Sequence, residues 1–198
     1  MPVSSYISLS REAQAELKQL VWQVLDKAVE DRTMLQPAPP TSPALLIPRA
    51  CFVTLYADKQ LRGCIGTYAA EKSLWQNVCD YSYYSACEDC RFEPLQKREL
   101  PNLSFEISVL SALQPLANKG ERALLDQLQI GIDGLLLKDS YYSAIFLPSV
   151  WHSLKTAEEF VNALKIKAGW PEDYWREDIK IFRFETFVIE GSQKTFVP

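Results

Sequence analysis

One histidine, His152, is all the imidazole this chain has. A Cys–His or Ser–His–Asp arrangement therefore has a single possible base, and no G-x-S-x-G accompanies it. A basic excess is also missing. The 21 Lys and Arg residues stand against 25 Asp and Glu, for a net charge of −4 and a pI near 5.2. That excludes a general polyanion or nucleic-acid binder, though not a small basic cleft. No apolar run approaches the roughly 20 residues needed to cross a bilayer, and no basic-then-apolar block opens the chain. Neither a membrane span nor a signal peptide is expected. The phosphate-cradling patterns G-x-x-x-x-G-K-[ST] and G-x-G-x-x-G do not occur.

What is present is ordinary for a folded protein: 47% hydrophobic and 23% charged residues in a chain of 198. That length suits one domain, or one domain with a lobe, and buries a core without staples. The cysteines Cys51, Cys64, Cys79, Cys87 and Cys90 form an odd set, which reads as reduced thiols in a cytoplasmic protein. Residues 31–50 carry Pro37, Pro39, Pro40, Pro43 and Pro48. This density excludes a regular helix or central strand and predicts an irregular surface connection within a single 1–198 domain.

The apolar spacing Ala13, Leu17, Leu20, Val21, Val24, Leu25, Ala28 predicts a first helix, capped by Ser10. Cys51–Tyr56, a turn at residues 57–60 and the following stretch predict an antiparallel hairpin. Ser73 and Gln76 form a capping-box pattern for a helix over about 74–89, and Pro94 bars its continuation. Leu103, Phe105, Ile107 and Val109 alternate with polar residues as a strand. A short helix over 121–128 follows, then a hairpin through Leu135–Leu137 and Ser143–Leu147. A helix opens at Thr156 and Glu159 and closes at Gly169. Residues 179–190 alternate as one long final strand. Hairpins outnumber β-α-β units, so the fold class is α+β, with mostly antiparallel sheets and flanking helices.

The informative stretch is Leu61-Arg62-Gly63-Cys64-Ile65-Gly66-Thr67. As a strand it sends Arg62 and Cys64 to one face. Gly63 marks a bulge or a close approach by another backbone or a ligand, and Gly66 can take a turn conformation. A free thiol is only a few per cent thiolate at neutral pH, and a neighbouring arginine would raise that fraction. The structural alternative is that Cys64 is a small buried hydrophobe. Arg62 and Arg91 could receive an anion between them, or each could pair with a nearby acid. Cys87-x-x-Cys90 falls short of a structural zinc site, which needs four ligands, so no metal is expected.

The run FVTLYADKQLRGCIGTY resembles the signature of the AMMECR-one domain family, also called AmmeMemoRadiSam system protein A. Further blocks agree in order. They are Ala86-x-x-Asp89-x-Arg91-Phe92-x-Pro94-Leu95, the strand Leu100–Ser111, Gly131-Ile132-Asp133-Gly134-Leu135, Phe146-Leu147-Pro148-x-Val150-Trp151 and Lys167-Ala168-Gly169. The resemblance implies a larger and a smaller lobe, and Memo-like and radical-SAM proteins as partners. It implies no settled reaction and no known cofactor. It places the strand bearing Glu106 near the signature, where this carboxylate could serve as acid/base. Cys64, Arg62 and Glu106 are thus the candidate catalytic residues. Gly63, Gly66, Thr67, Asp89 and Arg91 are the candidate ligand-binding residues. Two functions remain open: a small-ligand-binding or cysteine-dependent modifying protein, and a non-catalytic interaction or adaptor domain.

Overall fold

In the computed structural model, residues 8–192 are described. The part of the N-terminal reading that concerns residues 1–7 lies outside them. The chain forms two compact units. Among the described residues, one comprises 8–110 and 187–192; the other is Ser111–Thr186.

In the first unit, helix α1 (Arg11–Asp31) starts where the Ser10 hydroxyl accepts the Ala13 amide at 3.2 Å. Its buried stripe is the predicted one with Trp22 added. Strands β1 (Cys51–Ala57) and β2 (Gln60–Thr67) form the hairpin, turning at Asp58 and Lys59, both at positive φ. That turn geometry matches the right-handed twist of a tight two-residue hairpin. Helix α2 (Leu74–Cys87) packs on α1, β1 and β2. Its N-cap is half of the expected box: Ser73 accepts the Gln76 amide, while the Gln76 side chain donates to Asp80. Strand β3 (Leu103–Leu110) continues the sheet, whose order is β2-β1-β3-β8, with β8 spanning Thr186–Ser192.

Cys51, Val53, Leu55, Phe105, Ile107, Val109 and Ile189 join the stripes of α1 and α2 in one core. Each fully buried aliphatic there contributes roughly 1.5–3 kcal/mol. Thr54, Tyr56, Cys64, Ser104 and Glu106 fall on the opposite face, as the period of two requires. The proline-rich connection is irregular apart from one 3₁₀ turn (Pro43–Leu46), and it is tied to α1 where Glu16 accepts the Thr41 and Ser42 amides.

The second unit carries the sheet β4-β7-β5-β6, made of Gln114–Leu116, Lys180–Phe184, Gly134–Lys138 and Ser143–Phe146. Helices α3 (Glu121–Leu125) and α4 (Ala157–Lys167) accompany it. Both bonds of the Thr156/Glu159 capping box form, and Gly169 takes φ +79°. Trp151 stacks on Phe160 at 3.8 Å and donates its indole N–H to the Asp133 carbonyl at 2.7 Å.

The architecture is α+β with two four-stranded antiparallel sheets. One expectation is corrected. Residues 179–190 are two strands in two different sheets, broken at Glu185, whose amide and carbonyl both bond Ser111 at 2.9 Å. Alternation persists across the break because both strands are half-buried, and periodicity carries no information about which sheet a strand joins. Strand β4, three residues long and containing Pro115, is too short to show any period.

Candidate functional site

The LRGCIGT stretch is β2, the edge strand of the first sheet. Its geometry is set by a close approach from behind. A β-carbon on Gly63 would lie 2.1 Å from the Ser85 carbonyl oxygen of α2. The buried Ser85 hydroxyl donates to the Val53 carbonyl at 2.7 Å and accepts the Ile65 amide at 2.9 Å. Val53 and Ile65 are register partners, so the hydroxyl bridges one rung of the β1–β2 ladder. Gly66 is equally confined: a β-carbon there would meet Phe52 and the Cys51 carbonyl at 2.3–2.5 Å. Both glycines of the motif are therefore required by packing.

The register slips between Leu55 and Tyr56: Leu55 faces Gly63, but Tyr56 faces Leu61. Arg62 is the extra residue of a β-bulge, which re-aims its side chain. It donates to Glu99 through Nε at 2.6 Å and Nη2 at 3.1 Å, and to the Glu93 carbonyl at 2.8 Å. Its Nη1 is buried without a hydrogen-bond partner among the described residues. The Arg62 guanidinium holds the Glu99 carboxyl below its ordinary value.

Asp89 and Arg91 close the open edge of β2. Asp89 Oδ2 accepts the Cys64 amide at 2.8 Å, and Arg91 Nη2 donates to the Cys64 carbonyl at 3.3 Å. The two side chains are themselves paired at 2.6 Å. Together they satisfy the backbone groups that a neighbouring strand would otherwise take. The Arg91 guanidinium, with help from the Cys64 and Arg91 amides, holds the Asp89 carboxyl down at about 2 against burial. Phe92 lies within cation–π reach of both Arg62 (5.7 Å) and Arg91 (5.5 Å). Thr67 ends β2, and its hydroxyl accepts the Ala69 amide in a local turn.

Cys64 itself is half-buried on the other face of the sheet. Thr54 stands directly opposite it on β1 and faces Glu106 on β3. Thr54 donates its hydroxyl to the Cys64 sulfur at 3.3 Å, and Glu106 accepts the Ser108 hydroxyl at 2.8 Å. Cys64, Thr54 and Glu106 thus form one cross-strand row. A cleft of about 520 Å³ is reached by that row at Glu106 alone; Tyr56, Lys59, Ser104, Glu190 and Ser192 also line it, while Cys64 and Thr54 do not. Burial first, then the charges of Glu106, Cys64 and Glu190, push the Tyr56 phenol above its ordinary value, so it remains a neutral hydroxyl.

Of the candidate catalytic residues, the structure brings Cys64 and Glu106 into one row and directs Arg62 to Glu99. Gly63, Gly66, Asp89, Arg91 and Thr67 shape and hold β2. His152 is exposed at the end of the 3₁₀ turn Pro148–His152 in the other unit. Sequence reasoning missed Thr54, Ser85, Glu99 and the cleft residues Tyr56, Lys59 and Glu190. A serine on the apolar face of α2 was the one local signal for any of them. The others meet the motif only through sheet register or a distant loop.

A model of the AMMECR1 family matches residues 18–189. The chain belongs to the AMMECR1 family. Protein MJ0810 of Methanocaldococcus jannaschii is 34% identical over 150 residues, covering 72% of this chain and 73% of that protein. Protein NEQ441 of Nanoarchaeum equitans is 37% identical over 139 residues, covering 68% and 73%. The crystal structure of the uncharacterised protein PH0010 from Pyrococcus horikoshii aligns with a TM-score of 0.81 at 30% identity, covering 88% of this chain and 89% of that one. The LRGCIGT stretch is thus a glycine-fitted edge strand, braced by Asp89, Arg91 and Glu99, with Cys64 half-buried on it. Among the described residues, no helix is long and apolar enough to cross a membrane.

Proposed function

We propose that this AMMECR1 chain binds a small ligand on the polar face of the first sheet, and that Cys64 is the reactive group of that site. The observation that carries the reading is the row Cys64–Thr54–Glu106, which ends in the cleft at Glu106. Cys64 is half-buried with its sulfur accepting the Thr54 hydroxyl, and the carboxylate of Glu106 two strands away can take or give a proton through a bound ligand or water. Glu106 is the acid/base group in this reading. Arg62, Asp89 and Arg91 position the strand. The chain would act in the cytoplasm with Memo-like and radical-SAM partners, as a cysteine-dependent modifying protein.

The test is the iodoacetamide alkylation rate of Cys64 in the folded protein, followed by peptide mass spectrometry so that the exposed Cys90 is counted separately. Cys64 is expected to react, and Glu106→Gln to change its rate by about threefold or more, as expected for a charge two strands away in the same row. A Cys64 that stays inert while Cys90 is fully modified would remove the reading.

A second reading has its own observation. Gly63, Arg62, Asp89 and Arg91 are all engaged in bracing the hairpin, as a rigid recognition surface would require. An adaptor domain of this kind keeps partner binding in Cys64→Ser and loses it in variants that loosen the Asp89–Arg91 brace. Co-purification of Memo-like and radical-SAM proteins with Cys64→Ser, set beside the activity that this variant keeps or loses, distinguishes the two.

A further inference from the structure

The cleft that the Cys64 row reaches at Glu106 has a charge pattern of its own. Glu106 on β3 and Glu190 on β8 both line it, on neighbouring strands of one sheet. Among the described residues neither carboxylate takes part in an ion pair; the pairs that form use other acids. Glu106 accepts one hydroxyl bond, from Ser108, which leaves most of its acceptor capacity unused. Lys59, at the tip of the β1–β2 hairpin, lines the same cleft and is likewise unpaired among those residues. Tyr56 adds a ring and a hydroxyl, and Ser104 and Ser192 line the cleft with it.

We propose that this cleft binds an amino-acid-type ligand, with its primary ammonium group between Glu106 and Glu190 and its anionic group at Lys59. The inference rests on the reading of this sheet face as a ligand site and supplies the ligand's chemical class. An ammonium offers three donors, which two carboxylates and the Tyr56 hydroxyl oxygen can accept. The Tyr56 ring adds attraction for a cation near its face. Burial first, and then the neighbouring negative charges, keep the phenol neutral, so its oxygen remains both acceptor and donor. A ligand carrying only a carboxylate would find Lys59 but would set its charge against two uncompensated acids. A ligand carrying only an ammonium would bind the acids and leave Lys59 unmatched. About 520 Å³ is ample for a free amino acid or an amino-acid side chain presented on a larger molecule.

The experiment is calorimetric titration of the whole chain with three probes of equal length: 6-aminohexanoate, hexylamine and hexanoate. The expected order is 6-aminohexanoate tightest, hexylamine weaker and hexanoate weakest. Glu190→Gln should weaken both amines by about tenfold, the cost of one charge-assisted hydrogen bond. Lys59→Met should bring 6-aminohexanoate down to the level of hexylamine and leave hexylamine unchanged. Glu190 and Lys59 are both exposed, so these variants are expected to keep the wild-type melting temperature, which is measured alongside. Absence of binding by all three probes at about 10 mM, or hexanoate binding as tightly as 6-aminohexanoate, overturns the proposal. The outcome separates from the Cys64 reading. Binding that leaves Cys64 alkylation unaffected upholds the ligand class and removes the thiol from the site. A reactive, Glu106-dependent Cys64 with no probe bound removes the ligand class alone.

Discussion

The Arg62 guanidinium donates to both carboxylate oxygens of Glu99, at 2.6 and 3.1 Å. The pair joins the bulged edge strand to the 3₁₀ turn Lys97–Asn102 that leads into β3. The same Glu99 carboxylate accepts the Gln96 amide at 2.8 Å, so one acid fixes both the arginine and the start of that turn. Both side chains are largely buried, at 13% and 23% exposure. Removing one partner therefore leaves a poorly solvated charge. Glu99→Gln is expected to destabilise the protein by about 1–3 kcal/mol, below the figure for a fully buried pair. Urea unfolding checks it. A midpoint unchanged from wild type would show the pair to be energetically idle.

Gly63→Ala gives a second prediction. The added carbon would lie 2.1 Å from a helix carbonyl, and backbone cannot swing away as a flexible side chain can. The helix must shift, which also pulls Ser85 from its bridge between Val53 and Ile65. A loss of about 2–4 kcal/mol is expected from overpacking and the strained bridge together. Ser85→Ala, which removes the bridge without the clash, should cost about 1–2 kcal/mol. Equal losses in the two variants would contradict this ordering.

Acid stability follows from Asp89. Its folded carboxyl sits at about 2, below the ordinary value of 3.8. Since the folded value is depressed, the contribution is complete above about pH 4 and is lost as pH falls toward 2. A shift of this size corresponds to roughly 2 kcal/mol, and the Asp89 side chain is 6% exposed, so little is screened. Asp89→Asn should lower stability at pH 7 by about that much and flatten the acid limb between pH 4 and 2. Denaturation midpoints over that pH range check both. A variant with the wild-type acid slope would assign the slope to other acids, such as Asp31, which is also held at about 2.

Tyr56 reports on the cleft. Its phenol is raised by burial first and then by Glu106, Cys64 and Glu190. In carbon-13 tyrosine NMR it should ionise above pH 10, and Glu106→Gln and Glu190→Gln should each move its titration down. A titration indifferent to both substitutions would mean that the carboxylates do not act on this face.

Much of this was legible in the residues. Gly63 in the middle of a strand announces a close approach, because only a missing β-carbon permits one. Ser85 as the group that approaches was not legible, since it is twenty-two residues away on another element. Arg62 and Cys64 two apart announce a shared face. The bulge cancels that inference for Arg62, because one extra residue in the register redirects a side chain. For Asp89-x-Arg91, the pairing with each other was readable from proximity, while the shared target, the Cys64 backbone, was not.

By itself the sequence determined the helices with their caps, the hairpins, the alternating faces and the family. These are consequences of local periodicity and backbone preference, which act over a few residues. Only the tertiary structure decided that the residues from 179 to 190 part into two sheets, that Arg62 answers to Glu99, and that Cys64 shares a row with Thr54 and Glu106. Those relations rest on sheet register and on loops that return from thirty or more residues away. Strand order and register are energetic properties of the whole packed unit, and no window of the chain contains them.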